Sequence, residues 1–406
     1  MAIGNTTPLT LLPVNGIRIA TVNAGIRQTE RDDVTVFELG DATQTAAVFT
    51  KNKFCAAPVI IARKNKQHST VKYLLVNSGN ANAGLGDDGL KAAEDCCESL
   101  ANIVGCVATQ ILPFSTGVIG EPLPVDVLTN SLPKAVSRLG ENNWLNAASA
   151  IMTTDTREKG YSRTVLLEGE EITITGIAKG SGMIRPNMAT MLAYIATDLA
   201  IEPVLLQGLL KKAVDHSFNS ITVDGDTSTN DAVVFMATGA AKGSTLNNTE
   251  DSRYAEFLSA LIEVSQYLAE SIVRDGEGAN KLITIQIDEA SSVDDAREVA
   301  YTVAHSPLVK TAFFASDPNW GRILAAIGRA DIDQLLVQKI AVYLDDVCIV
   351  RNGKRAEEYT EKQGQQVMNQ EEITIRVCLQ QGECSAHILT CDLSYDYVRI
   401  NAEYRS

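Results

Sequence analysis

The sequence predicts an α/β protein with extensive mixed sheets packed with helices. Three observations carry this. Short runs rich in β-branched and aromatic residues, bounded by turn residues, recur at 35–39, 45–49, 71–77, 163–167 and 172–177. Between and beyond them stand stretches with apolar residues at three- and four-residue spacing. The clearest is 254–274, where Phe257, Leu261, Leu268 and Ile272 share a face. Finally, an irregular connector containing Gly176, Gly180, Gly182 and Pro186 runs into the apolar stretch 189–195, which reads as a buried strand.

Composition narrows the class. The chain has 406 residues, 45% hydrophobic and 21% charged, enough for two or three cores or one large α/β assembly. Its net charge of -15 disfavours nucleic acid, whose phosphates require a basic surface. No run approaches the ~20 apolar residues of a membrane span, and the amino terminus lacks a basic-then-apolar signal pattern. A cytoplasmic enzyme is expected. The eight cysteines form no C-x-x-C pair, and none stands beside a histidine at zinc spacing, so reduced thiols rather than a metal site are expected.

Taken in order, the strand at 71–77 ends in Asn77-Ser-Gly-Asn-Ala-Asn-Ala-Gly-Leu-Gly, a loop of small residues before a helix over 87–103. Such a loop lets backbone N–H groups approach a ligand, or is simply a turn capped by asparagine side chains. The apolar run 111–120 is interrupted by Ser115-Thr116-Gly117, which brings a hydroxyl and a flexible backbone unit to a strand end. An oxyanion hole needs such preset donors, although a bulge would read the same way. Helical periodicity returns at 125–139 and 143–152, followed by Thr153-Thr-Asp-Thr, a capping or turn cluster in its plainest reading. The hairpin about Gly169 then leads to Lys179, whose spacing is not that of a phosphate-binding loop. Lys179 is either a cation for a substrate carboxylate or a solvated surface lysine.

Beyond 198, Glu202-Pro203 opens a helix with Leu205, Leu206, Leu209, Leu210 and Ala213 on one face. In 218–231, Asp224, Asp226, Ser228 and Asn230 alternate as in a calcium loop. The pattern fails because Thr229 and Phe235 stand where glycine and glutamate are needed. Glycines on both sides of Glu277 let a carboxylate protrude beside exposed backbone, in a site or in a plain turn. Trp320 and Arg322 open a helix of small residues and are read as structural. The remainder reads as antiparallel sheet at 339–344, 347–350, 372–379, 386–393 and 397–404.

Thr190 begins the buried strand behind the glycine-rich connector. It is an ordinary buried threonine or a nucleophile. With four histidines, all remote in sequence, a nucleophile there would need another base. Cutting the Ala189–Thr190 bond would supply one, because the new α-amine titrates near pH 8 and lies on the same residue as the hydroxyl.

The segment Gly180-Ser-Gly-Met-Ile-Arg-Pro-Asn-Met-Ala-Thr-Met-Leu resembles the self-cleavage site of the ornithine acetyltransferase family, the glutamate N-acetyltransferases of arginine biosynthesis. The resemblance extends along nearly the whole chain. It implies a self-processing architecture of the amino-terminal-nucleophile kind, cut between Ala189 and Thr190. An α chain of 1–189 would carry the oxyanion loop, and a β chain of 190–406 would begin with the nucleophile Thr190.

By the same resemblance Thr116 and Gly117 hold the oxyanion. Thr153, Lys179, Thr190, Glu277, Asn401 and Ser406 contact substrate, and no cofactor or metal is required. The implied reaction moves an acetyl group from N-acetylornithine to glutamate through an acetyl-Thr190 intermediate. Some members also accept acetyl-CoA, and the family suggests an α2β2 heterotetramer without nucleic acid or membrane partners. Asn280 stands where the family usually has threonine, beside an intact Asp275-Gly-Glu-Gly-Ala279. Two other readings share these residues: an amino-terminal-nucleophile aminopeptidase or amidase, and a non-catalytic binding protein on the same scaffold.

Overall fold

The computed structural model describes residues 2–4, 8–27, 30–185 and 191–403. Ala189 and Thr190, and at the carboxyl terminus Ser406, lie outside the described residues. Two sheets stack face to face. The first orders its strands as Ile17–Val22, Val34–Leu39, Tyr73–Asn80 and Ile111–Val118. Its first two pairings are antiparallel and its last is parallel. The second orders Gln44–Phe49, Ala232–Ala237, Leu192–Thr197, Glu170–Lys179 and Lys159–Leu167, with only the pair 192–197 and 232–237 parallel.

Side-chain alternation explains the layers. Leu192, Tyr194 and Ala196 enter the core between the sheets, where Tyr194 meets Phe37 at 5.0 Å and Phe114 at 5.5 Å between ring centroids. Ala193 and Ile195 enter the opposite core, under the helices Pro203–Asp215 and Tyr254–Arg274. A strand buried on both faces must be apolar throughout, which accounts for the uninterrupted run in the sequence. The helices Gly86–Val104 and Val125–Val136 cover the outer face of the first sheet, packing Leu100 and Leu132 over Val36 and Leu75. The result is a helix–sheet–sheet–helix sandwich.

A third sheet follows, in the order Lys354–Arg355, Val347–Arg351, Ala341–Leu344, Glu372–Cys378, Leu282–Ala290 and Cys384–Cys391. The helices Val293–Ala304 and Trp320–Ile327 share its apolar core, and Trp320 packs there as a structural residue. Two expectations are corrected here. The sheet is mixed rather than antiparallel, because Glu372–Cys378 runs parallel to Leu282–Ala290. A parallel neighbour needs a long crossover, and the chain between these strands supplies it with helices. Of the stretch expected as a strand at 397–404, residues 397–402 instead lie in the helix Tyr395–Ala402. Its β-branched and aromatic residues suit a strand, but the ion pair of Asp396 with Arg399 at 3.0 Å and the close seat of Tyr397 N over Gly278 favour a turn of helix.

Candidate active site

The parallel pair formed by the ends of Tyr73–Asn80 and Ile111–Val118 builds one wall. Its register shifts at Gly79 and Asn80, so the ladder is irregular beside Thr116 and Gly117. Gly117 has φ of 134°, and a Cβ there would stand 2.3 Å from the Gly79 carbonyl carbon. Only glycine allows this close approach. Side chains of the Asn77–Asn82 segment brace the wall. Asn77 accepts from Ser115 Oγ at 2.6 Å, and Asn80 Nδ2 donates to the Glu121 and Pro122 carbonyls. Asn82 Nδ2 donates to the Gly89 carbonyl at 2.9 Å. From the other sheet, Asn230 Nδ2 donates to Ala81 O at 2.6 Å and Ser115 O at 2.9 Å. The asparagine-rich loop is therefore scaffolding for the Thr116–Gly117 strand end.

Lys179 closes the last turn of the Glu170–Lys179 strand and turns its ammonium onto Thr116 Oγ1, at 3.1 Å. It is buried rather than a solvated surface residue, and among the described residues it forms no ion pair. Burial pulls its pKa below the ordinary lysine value, an effect opposed by the charges of Asp155 and Asp231. Glu277 is also buried. Asn401 Nδ2 donates to its Oε2 at 2.8 Å, and its backbone N–H donates to Ser181 O at 3.0 Å. Gly182 faces the Glu277 carboxylate so closely that a Cβ would lie 2.4 Å from Cδ.

Thr116, Gly117, Thr153, Lys179, Glu277 and Asn401 line one cavity of about 280 Å³, a volume suited to an amino-acid-sized ligand. A larger cavity of about 690 Å³, among Leu9, Tyr267 and Arg274, holds none of these residues. Six of the positions named from sequence, beyond the nucleophile, are thus brought together from five separated stretches of chain. Met191, peptide-bonded to Thr190, accepts a hydrogen bond from Ala232 N at 3.0 Å and packs beside Gly180, the neighbour of Lys179.

Several residues here were not evident from sequence. Lys159 bridges Asp155 at 2.7 Å and Asp275 at 2.6 Å in a fully buried ion cluster. Burial alone would raise the Asp155 carboxyl, but the charges of Lys159 and Lys179, with hydrogen bonds from Lys159 and the Thr153 backbone N–H, hold it below the usual carboxylate range. Asp231 is buried, its Oδ2 has no hydrogen-bond partner among the described residues, and burial pushes its carboxyl well up. Asp224, part of the alternating acidic stretch, accepts the backbone N–H groups of Met183 at 2.6 Å and Ile184 at 2.9 Å, and so anchors the connector before residue 186. Asn280 donates to Asp392 from its backbone and side chain, at 2.7 and 3.1 Å. The advance signals of the cluster were the acidic residues within Thr153-Thr-Asp-Thr and opening Asp275-Gly-Glu-Gly-Ala279.

Fold and site together define the class: a layered α/β enzyme with its polar machinery at the ends of two stacked sheets. The chain belongs to the ArgJ family, whose pattern matches residues 18–406. It is 53% identical over 406 residues to the arginine biosynthesis bifunctional protein ArgJ of Pseudomonas fluorescens strain Pf0-1, covering 100% of both chains. It is 54% identical over 402 residues to the protein of that name from Methylococcus capsulatus, covering 99% of this chain and 98% of the relative. Among solved structures, that of the arginine biosynthesis bifunctional protein argJ from Bacillus halodurans is 39% identical with a TM-score of 0.50. The match covers 52% of this chain and 98% of that one.

Proposed function

We propose that this chain is a self-cleaving glutamate N-acetyltransferase of arginine biosynthesis. The observation that carries the reading is the convergence of Thr116, Gly117, Lys179, Glu277 and Asn401 on one cavity, with Met191 beside Gly180, the neighbour of Lys179. In maturation the Thr190 hydroxyl attacks the Ala189 carbonyl carbon, and the peptide nitrogen leaves as the Thr190 amine. Water then hydrolyses the ester, leaving chains of 1–189 and 190–406, roughly 20 and 23 kDa of the total 43.7 kDa. Sheet pairing supports continued association of the two pieces. Glu170–Lys179 pairs with Leu192–Thr197, and Gln44–Phe49 with Ala232–Ala237, on opposite sides of the cut. That the Bacillus halodurans chain is matched almost whole yet covers about half of this one also fits a precursor cut near its middle.

In turnover Thr190 Oγ attacks the acetyl carbon of N-acetylornithine while the α-amine of Thr190 takes the hydroxyl proton. Thr116 and Gly117 hold the oxyanion. The C–N bond breaks, the proton passes to the departing amine, and ornithine leaves an acetyl ester on Thr190. The amine of glutamate attacks that ester and leaves as N-acetylglutamate. Lys179 takes the substrate α-carboxylate, Glu277 the side-chain amine of ornithine, and Thr153, Asn401 and Ser406 complete the pocket. No cofactor takes part. The relatives' description as bifunctional supports acetyl-CoA as a second acetyl donor. Two α and two β chains, working in the cytoplasm, complete the proposal.

The test is an intact-mass spectrum before and after incubation with N-acetylornithine. Two chains divided before Thr190, with one acetyl group gained at the start of the second, are expected. A single uncut chain without transferase activity would overturn the reading. Acetate release in place of transfer to glutamate would favour an amidase.

A further inference from the structure

Lys159 is among the largest fully buried side chains of the molecule, yet it does not reach the Thr116 wall. Its ammonium is shared by two carboxylates from opposite sides of the proposed cut, and all three side chains are 0–1% exposed. Both carboxylates are tied to the same two segments, 153–156 and 180–181, the second of which follows Lys179 directly. Asp155 accepts from Thr153 N through Oδ2 and from Gly180 N, the neighbour of Lys179, through Oδ1, both at 2.8 Å. Asp275 accepts from Thr156 N at 3.0 Å, and its backbone carbonyl accepts from Ser181 Oγ at 2.5 Å. Two residues on stands Glu277. Buried ion clusters of this kind contribute little net stability compared with apolar groups of the same shape. What this one does fix is the relation of segments: Lys159 joins 153–156 and 180–181, beside Lys179, to the 275–277 stretch that carries Glu277, in support of the Glu277 N to Ser181 O hydrogen bond.

We propose that Lys159 is a positioning residue that sets substrate length, selecting an ornithine-length diamino acid over a longer one. The cluster spaces the cation that receives the α-carboxylate from the carboxylate that receives the distal amine. The inference rests on the transferase reading above and deepens it.

The experiment compares native protein with Lys159→Met, after intact mass has shown that both are cleaved. Acetylation of the second chain is timed with N-acetylornithine, with the one-methylene-longer N-acetyllysine, and with p-nitrophenyl acetate, which carries neither recognised charge. In the variant, discrimination between the two amino-acid donors falls about tenfold, the scale on which a pocket distinguishes one methylene, chiefly through KM for N-acetylornithine. Acetylation by p-nitrophenyl acetate stays within about threefold, because the oxyanion wall is untouched. Unchanged discrimination, or a parallel loss with all three donors, overturns the proposal.

If Lys159→Met does not fold, Asp275→Asn keeps the side-chain shape, loosens the same tie, and carries the same expectation and refutation. Native protein that N-acetylornithine does not acetylate would sink the transferase reading and this inference together. Native acetylation with unchanged discrimination in the variants would remove only the ruler.

Discussion

The stacked sheets and the six-stranded third sheet place charge in opposite ways. Around the stacked sheets, Asp155, Lys159, Lys179, Asp231, Asp275 and Glu277 are all buried. On the strands of the third sheet the charges pair in the open: Arg376 with Asp288 at 2.6 Å, the arginine side chain 53% exposed. Its interior is built from Ile285, Ile287, Val342 and Ile375. Burying ions is expensive, and a fold does so when fixed dipoles and charges serve something other than stability. The contrast separates a region organised for chemistry from strands organised for apolar burial, whose neighbouring buried charges, Lys281, Lys310 and Asp392, gather at one end of the sheet.

That contrast predicts distinct phenotypes. The largest effect belongs to Thr190→Ala, which leaves one uncut chain of 43.7 kDa with no acetyl transfer, read by intact mass and by product formation. Normal cleavage in that variant would remove Thr190 as the nucleophile. Next is Gly117→Ala. The new methyl group meets the Gly79 carbonyl carbon at 2.3 Å and displaces the strand end, so transfer falls about 10²–10³-fold, as on loss of an oxyanion donor. A variant of near-native rate would show that this wall is not the oxyanion site.

In the third sheet the expected outcome reverses. Ile285→Ala empties a fully buried position and costs about 2–5 kcal/mol of stability, measured by denaturant unfolding, while KM stays at its native value. A raised KM with unchanged stability would erase the distinction between the two regions. Smaller again is a pH effect at their junction. His305 shares a hydrogen bond with Thr222 Oγ1 at 3.1 Å; burial first, then Arg185 and Lys310, draws its pKa from 6.5 down to about 4. The unfolded chain therefore binds this proton at a higher pH than the folded one, and its contribution to stability is full above 6.5 and lost as pH falls towards about 4. Thermal melts of His305→Gln should show a shallower loss across that window than the native protein; identical slopes would exclude His305 as the source. The smallest change is expected for Arg376→Ala. It breaks an exposed pair and shifts stability by about 1 kcal/mol or less, so a larger shift in unfolding midpoint would mean that the pair is not merely a surface contact.

Features held in a few consecutive residues were readable before the structure. The helix Tyr254–Arg274 has the bounds its apolar spacing predicts. The Leu192–Thr197 strand is buried on both faces, as its unbroken apolar run requires. Thr116, Gly117, Lys179 and Glu277 were singled out by local chemistry and family resemblance, and they do meet at one cavity. The stretch 397–404 misled because β-branched residues favour a strand only where a neighbouring edge receives them, and here the chain folds as a helix over Gly278.

The parallel pairing of Glu372–Cys378 with Leu282–Ala290 left no local trace, and nothing local joined Asp155, Lys159 and Asp275 into one cluster. Sequence by itself determined periodicity, the glycines that permit close backbone approach, and the residue types available to the site. Tertiary structure alone decided which distant strands became neighbours and which charges were buried together. Asp275 stands 116 residues from Lys159, and its charge acquires its role only when packing removes water from both and leaves each as the other's partner.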